Sequence, residues 1–371
     1  MKRIFILVMV ASLFFSGCSL FSDSYVSVTP HQESADESEY KLATATTYIE
    51  LRTAFVELVH SGAETGIIHV ADYNTVLLDQ GLEDAVKYVQ KYDAIGAYAV
   101  DTITYEKGTS GVVPAVAVTV HYRHDRSEIQ KIQIVRDSDG LWKRIEPVLA
   151  RCDAGMVVLV EKYLDRDWIQ LVEDYAVQNP DVVMEVPQVI CEVYPDNGDD
   201  RVVSLKFTYQ NSRTDLRQMQ SQVQPIFNSA VMYASGGSDY QKLSRLYAFL
   251  MERFDEYQLK TSITPAYSLL HHGVGDSRAF AMVYAQMCRK AGIDSYIVTG
   301  TYLGERWSWN MVESDGNFYH VDLLRSNETG GFVLQADAQM EDYVWDYSAY
   351  PVCAVVPQEL PEMAETEDTE K

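Results

Sequence analysis

Slid over itself by 87 positions, the middle of this chain meets itself again without a gap. Tyr88 falls on Tyr175, Ile103 on Ile190, Gly111 on Gly198, Val116 on Val203, Tyr122 on Tyr209 and Arg126 on Arg213. The alternation repeats along with the identities. Val118 and Val120 stand opposite Leu205 and Phe207, and Ser127-Glu128-Ile129 stands opposite Thr214-Asp215-Leu216. A repeat of this kind constrains the fold, because each copy must be a small unit with its own helix and its own half-buried strands. Each half reads as a helix followed by a hairpin. Residues 116–122 alternate apolar and polar, and Asp139-Gly140, between 132–135 and 141–145, reads as a further hairpin turn. The expectation is an α+β protein with two repeated modules, over 46–150 and 151–235. Neither module carries residues at catalytic spacing, so spacing or protein contact is what they offer.

The start of the chain reads differently. Lys2 and Arg3 precede an unbroken apolar run over 4–15 and then Ser16-Gly17-Cys18, the pattern of a signal peptide. The run is too short to span a bilayer as a helix, which needs about 20 residues. Phe15-Ser16-Gly17-Cys18 resembles a bacterial lipobox, with Phe15 where leucine is usual. The resemblance implies that the Cys18 thiol takes a diacylglyceryl group and becomes the first residue of a mature chain anchored to the membrane outside the cytoplasm. The alternative is an ordinary cleaved signal in which Cys18 is incidental. A Gram-positive membrane face and a periplasmic one are not distinguished. Residues 19–45, rich in Ser, Asp, Glu and His, read as a disordered tether, and the acidic run 357–371 as a disordered tail.

Removing 1–17 takes Lys2 and Arg3 and no acid, moving the net charge from −24 to −26. A surface so acidic repels polyanions and argues against nucleic acid. Beyond Cys18 the cysteines are Cys152, Cys191, Cys288 and Cys353. Outside the cytoplasm they could pair, with three possible connectivities left open. None has metal-ligand spacing, and neither a metal nor a cofactor is expected.

Order should begin near Thr46, where Tyr48, Leu51, Phe55 and Leu58 recur at helical spacing before Ser61-Gly62. In the C-terminal third, Ser238 is a candidate N-cap for a helix with Tyr240, Leu243, Tyr247, Leu250 and Phe254 on one face. A second helix is expected from near 277, with Phe280, Tyr284, Met287 or Cys288, and Ala291 buried and Gly292 closing it. Strands follow over 296–299 and 307–322, the latter a hairpin turning at Asp315-Gly316.

Within this third lie Ala266-Tyr267-Ser268-Leu269-Leu270, Ser277-Arg278-Ala279-Phe280-Ala281, Ala291-Gly292-Ile293, Trp309-Asn310-Met311-Val312, Asp315-Gly316 and Tyr319-His320-Val321-Asp322. In order and spacing these resemble the transglutaminase-like superfamily, whose fold is papain-like. The segment from Phe332-Val333-Leu334 through Asp337, Trp345-Asp346-Tyr347 and Tyr350-Pro351 is similar to the close of bacterial members. The resemblance implies a domain over 236–356 and a thiol, a histidine and an acid as catalytic triad. By the family's spacing the nucleophile position is Ser277, the histidine position is Trp307 and the acid is Asp322. Two of the three are therefore substituted. A serine hydroxyl needs a general base, and an indole has no basic nitrogen, so the family's acyl transfer should fail.

Other residues were candidates for rescue. Cys288 lies in the same helix, but about three turns beyond the nucleophile position. His320 could serve as a base if residues 318, 320 and 322 share one strand face, giving an alternative hydrolase or acyltransferase of Ser277, His320 and Asp322. His271 and His272 read as solvated loop residues without a role. The expectation preferred over the enzyme is a degenerate cleft converted to binding cell-wall glycan, peptide or a surface protein, with Trp307, Trp309, Tyr302 and Tyr319, and Trp345 nearby, as the aromatic lining. The plainer reading makes Trp307 a plug and Trp309 a core residue.

Overall fold

The computed structural model describes residues 41–257 and 263–355. The segments read as signal peptide with Cys18 (1–18), as tether up to residue 40 and as tail (357–371) lie outside the described residues.

The repeat is visible as repeated topology. The first module runs β1 (Lys41–Thr44), α1 (Tyr48–His60), β2 (Thr65–His69), α2 (Leu78–Lys91), α3 (Ala94–Ala99), β3 (Val100–Ser110), β4 (Val113–Tyr122) and the short α4 (Arg126–Ile129). The second runs β5 (Gln133–Asp137), α5 (Ser138–Ala150), β6 (Gly155–Lys162), α6 (Trp168–Gln178), β7 (Gln188–Tyr194), β8 (Arg201–Thr208) and the long α7 (Arg213–Tyr233). The strand orders are β1-β2-β4-β3 and β5-β6-β8-β7. In each sheet the first pair is parallel and the others antiparallel. The repeated residues occupy matching places: Ile103 and Ile190 in β3 and β7, Val116 and Val203 in β4 and β8, and Arg126 and Arg213 at the first residue of α4 and α7.

Two expectations need correcting. Regular structure is already present ahead of Thr46, because β1 pairs in parallel with β2 from Lys41↔Gly66 to Thr44↔His69. Residues 41–44 therefore do not belong to a disordered tether. The Asp139-Gly140 hairpin is also absent; both residues lie in the first turn of α5. Asp137 caps that helix, its carboxylate accepting the Gly140 N–H at 2.8 Å, so capping chemistry overrides the turn signal. With β5 and α5 packed on β6, the first module gives way to the second near residue 132, not 150.

The α1 start follows its sequence closely. Thr47 and Glu50 form a reciprocal capping box, and Leu51, Phe55 and Leu58 are buried while Tyr48 is not. Each such buried side chain contributes about 1.5–3 kcal/mol of transfer free energy. The second sheet shows one face to its own helices and part of the other to the first module, where Val157, Leu159, Tyr194 and Val202 join the first core.

The C-terminal part comprises α8 (Asp239–Met251), β9 (Asp255–Glu256), α9 (Pro265–His272), β10 (Val274–Gly275), α10 (Ser277–Lys290), β11 (Ser295–Tyr302), β12 (Glu305–Ser314), β13 (Asn317–Val321), α11 (Leu323–Glu328) and β14 (Tyr343–Val344). Ser238 caps α8 in a capping box with Gln241, as the sequence implied. The sheet is antiparallel in the order β13-β12-β11-β14, and β12 turns into β13 with φ of 50° at Asp315 and 77° at Gly316. Helix α10 is buried on every side from Ala279 to Cys288, as befits a helix enclosed between α8, α9 and the sheet. No helix among the described residues is long and apolar enough to cross a membrane.

Candidate functional site

Helix α10 opens the site. Asp276 caps it, accepting the Ala279 N–H at 2.9 Å, and Ser277 is the first helical residue, 8% exposed. Gly275 allows this start: a Cβ there would sit 2.8 Å from the Ala279 Cβ and 3.0 Å from the Leu269 Cβ. Asn310 on β12 fastens the sheet to the helix, its amide donating to the Ala281 and Tyr296 carbonyl oxygens. That connection sets the neighbouring Ser308 N–H against the Ser277 hydroxyl, which accepts it at 3.3 Å.

Trp307 precedes Ser308 on β12, and its indole N–H donates to Asp322 Oδ2 at 2.6 Å. Asp322 caps α11, accepting the Arg325 N–H at 3.1 Å, and Oδ2 also accepts the Tyr343 hydroxyl at 2.9 Å. Burial pushes the Asp322 carboxyl above the usual carboxylate range, and these bonds work in the opposite direction. Tyr343 is pushed up as well, by burial and by the neighbouring carboxylate. Trp307 thus satisfies Asp322 with an N–H, as a histidine would, but offers no lone pair to a nucleophile. Among the described residues, no imidazole, amine or carboxylate hydrogen-bonds the Ser277 hydroxyl. The crevice between Ser277, Phe280, Ser308, Asp322 and Leu324 has no room for a water molecule.

Ser277 heading α10, residues 308–310 of β12 and Asp322 heading α11 thus line one crevice, with Trp307 hydrogen-bonded to Asp322. Residues 229–323 match the family model described as the transglutaminase-like superfamily. This part of the chain is a transglutaminase-like domain. The match begins within α7, ahead of the expected boundary at 236, and ends just after Asp322. No curated protein matches the chain. Among solved structures, a TGase crystal structure is 9% identical over 61% of this chain and 68% of its own, with a TM-score of 0.27. A candidate cysteine protease from Cytophaga hutchinsonii is 15% identical over 40% of this chain and 65% of its own, at 0.26. A candidate protease from Parabacteroides distasonis is 9% identical over 69% of this chain and 39% of its own, at 0.23. Scores of this size do not establish a shared arrangement of whole chains.

Several residues of the transglutaminase-like domain stand elsewhere than expected. His320 and Asp322 do lie on one side of the sheet, meeting Trp309 and Trp307 of β12 respectively, although Asp322 stands just past the end of β13 and caps α11. The His320 ring is fully buried, with Nδ1 accepting the Trp309 indole N–H at 2.9 Å and Nε2 2.8 Å from Asp337 Oδ1. An indole nitrogen only donates, so Nδ1 holds the lone pair and Nε2 the proton. His320 therefore has no nitrogen to offer Ser277, and the Ser277/His320/Asp322 alternative fails on geometry. Trp309 and Tyr319 are core residues, 1% and 8% exposed, and leave the expected binding set. Tyr302 and Trp307 remain half-buried.

Cys353 joins His320 and Asp337 in a cluster whose potential ligand atoms all lie within 4.8 Å of one another. It does not suit a cation. A histidine bound through Nε2 ordinarily donates its other N–H, whereas here Nδ1 is already an acceptor. Burial and Asp337 push the Cys353 thiol up to about 12. All four described cysteines are free, and burial pushes the Cys288 thiol up too. His271 and His272 are exposed at the end of α9, with His271 stacked on Tyr267.

Beside the closed crevice lies a cavity of about 250 Å³ that the sequence did not reveal. Tyr302 and Tyr343, ring centroids 4.7 Å apart, form one wall, the Arg325 guanidinium lies over Tyr302, and Gln335, Gln339 and Glu341 complete it. Tyr343 stands in a stretch with no periodicity, so only its place in an aromatic-rich segment could have drawn attention to it.

Proposed function

We propose that this chain is a lipid-anchored protein of the bacterial cell envelope whose transglutaminase-like domain binds a ligand without transforming it. The observation that carries the reading is the Trp307 N–H on Asp322, which fills the histidine's place with a group unable to accept a proton. The crevice at Ser277 is too tight for a ligand, so binding falls to the neighbouring Tyr302–Tyr343 cavity. Two aromatic rings with amide and carboxylate groups on the rim suit the alternating apolar and hydroxyl faces of a sugar, and cell-wall glycan is the ligand proposed. Cys18 supplies the membrane attachment.

The test is co-sedimentation of the chain with purified cell-wall sacculi, comparing unmodified protein with Tyr302→Ala and Ser277→Ala. The expected result is pelleting that Tyr302→Ala abolishes and Ser277→Ala leaves unchanged. Labelling of Ser277 by a fluorophosphonate, with loss of function in Ser277→Ala, would overturn the non-catalytic reading. Expression in cells fed radiolabelled palmitate checks the anchor, with label expected in the unmodified chain and absent from Cys18→Ala.

A further inference from the structure

The second module holds a cavity of about 400 Å³ where the C-terminal half of α5 leans over the start of β5 and β6. Lys131, Arg144, Arg151 and Asp153 give it charge, and Pro147 and Met156 are part of its apolar wall. The single acid is already engaged, since Arg151 Nε and Arg213 Nη2 each lie 2.7 Å from an Asp153 oxygen. The C-terminal carbonyls of α5 carry partial negative charge, and the same two arginines sit at that end, Arg213 Nε donating to the Arg151 carbonyl oxygen at 2.9 Å. Lys131 and Arg144, by contrast, have no carboxylate partner among the described residues. In a chain with 54 acidic and 30 basic side chains, two unpaired cations sharing one part-apolar concavity depart from the prevailing charge. Two exposed cations at the rim of one concavity give it a positive potential that attracts an anion.

We infer that this cavity binds a small organic anion, its phosphate or carboxylate head between Lys131 and Arg144 and its apolar part against Pro147 and Met156. The head is held by charge in a setting that remains wet, so binding weakens with salt, and the apolar wall selects against bare inorganic ions. The site is separate from the glycan cavity and does not depend on it.

Calorimetric titration of the full chain with phenyl phosphate tests this, with phenol as the uncharged control. Phenyl phosphate should bind while phenol does not, and Lys131→Gln combined with Arg144→Gln should weaken binding about tenfold. Both substituted side chains are exposed, so the double variant should fold, which circular dichroism would check. Equal affinity in the double variant, no binding of phenyl phosphate, or equal binding of phenol would each overturn the proposal. Monomeric dihexanoyl phosphatidylglycerol separates the two sources of such an anion: tighter binding than phenyl phosphate assigns the site to a lipid headgroup, and weaker binding assigns it to a soluble metabolite.

Discussion

At Asp322 an indole N–H, a phenol O–H and a backbone N–H converge on one carboxylate, and none of the three can take a proton from a neighbour at neutral pH. Asp322 is a junction holding β12, α11 and β14 together. Trp307→Phe keeps an aromatic ring but removes the pyrrole part with its donor, leaving Asp322 Oδ2 with the Tyr343 hydroxyl alone. The variant should lose about 1–3 kcal/mol, read as a lower urea midpoint with an unchanged slope. A midpoint within error of the unmodified protein would mean that the indole N–H is not what holds the carboxylate. The domain itself was legible in the sequence, through linked motifs between Ala266 and Asp322 that the family match at 229–323 largely covers. The failure of His320 was not. Strand alternation does bring 318, 320 and 322 to one side, but it does not show that Trp309 and the distant Asp337 take up both His320 nitrogens.

Among the elements, the closing segment around β14 is held to the sheet by a buried polar chain: Trp309 to His320, His320 to Asp337, and Asp337 Oδ2 to the Cys353 N–H at 3.1 Å. Burial holds the His320 imidazole below the ordinary histidine range, while Asp337 works in the opposite direction. The folded state therefore favours the neutral ring, and the unfolded chain takes up its proton first. This contribution to stability is whole above the free-histidine value of about 6.5 and is lost as pH falls below it towards the folded value. Denaturant midpoints between about pH 7.5 and about pH 5.5 should fall further for the unmodified protein than for His320→Gln, which can donate to Asp337 but does not titrate. Equal falls would place the pH dependence in other groups. Elements with strong local patterns, such as α1, α8 and the β12–β13 hairpin, were readable in advance. The β5–α5 unit was not, because Asp139-Gly140 carries a turn signature and only Asp137, two residues earlier, reveals a capped helix. The strand β1 was missed because its pairing partner β2 lies more than twenty residues away.

On the scale of the whole molecule, the second module is the connecting piece. It shares apolar side chains with the first module's core, and its Asp181, 3% exposed, reaches the transglutaminase-like domain. The Asp181 carboxylate receives the Gln286 amide at 2.7 Å and the Lys290 ammonium at 2.8 Å, both on α10, and Arg289 donates to the Gln178 carbonyl oxygen beside it. The sequence disclosed the repeat but not this junction, since Asp181 lies in an irregular stretch and its partners are more than a hundred residues away. If the junction couples the modules to the domain, the unmodified chain should unfold in one calorimetric transition. Asp181→Ala leaves the Gln286 amide without its acceptor and Lys290 without its counter-charge. Lys290 is partly exposed, so solvent offsets some of that loss, and a cost of about 1–3 kcal/mol is expected. The decisive reading is shape rather than midpoint: the variant's endotherm should split, with hydrogen exchange in α10 rising in the lower transition while β6 and β8 stay protected. A single endotherm merely shifted downwards would mean that α7, running unbroken from one part into the other, carries the coupling instead.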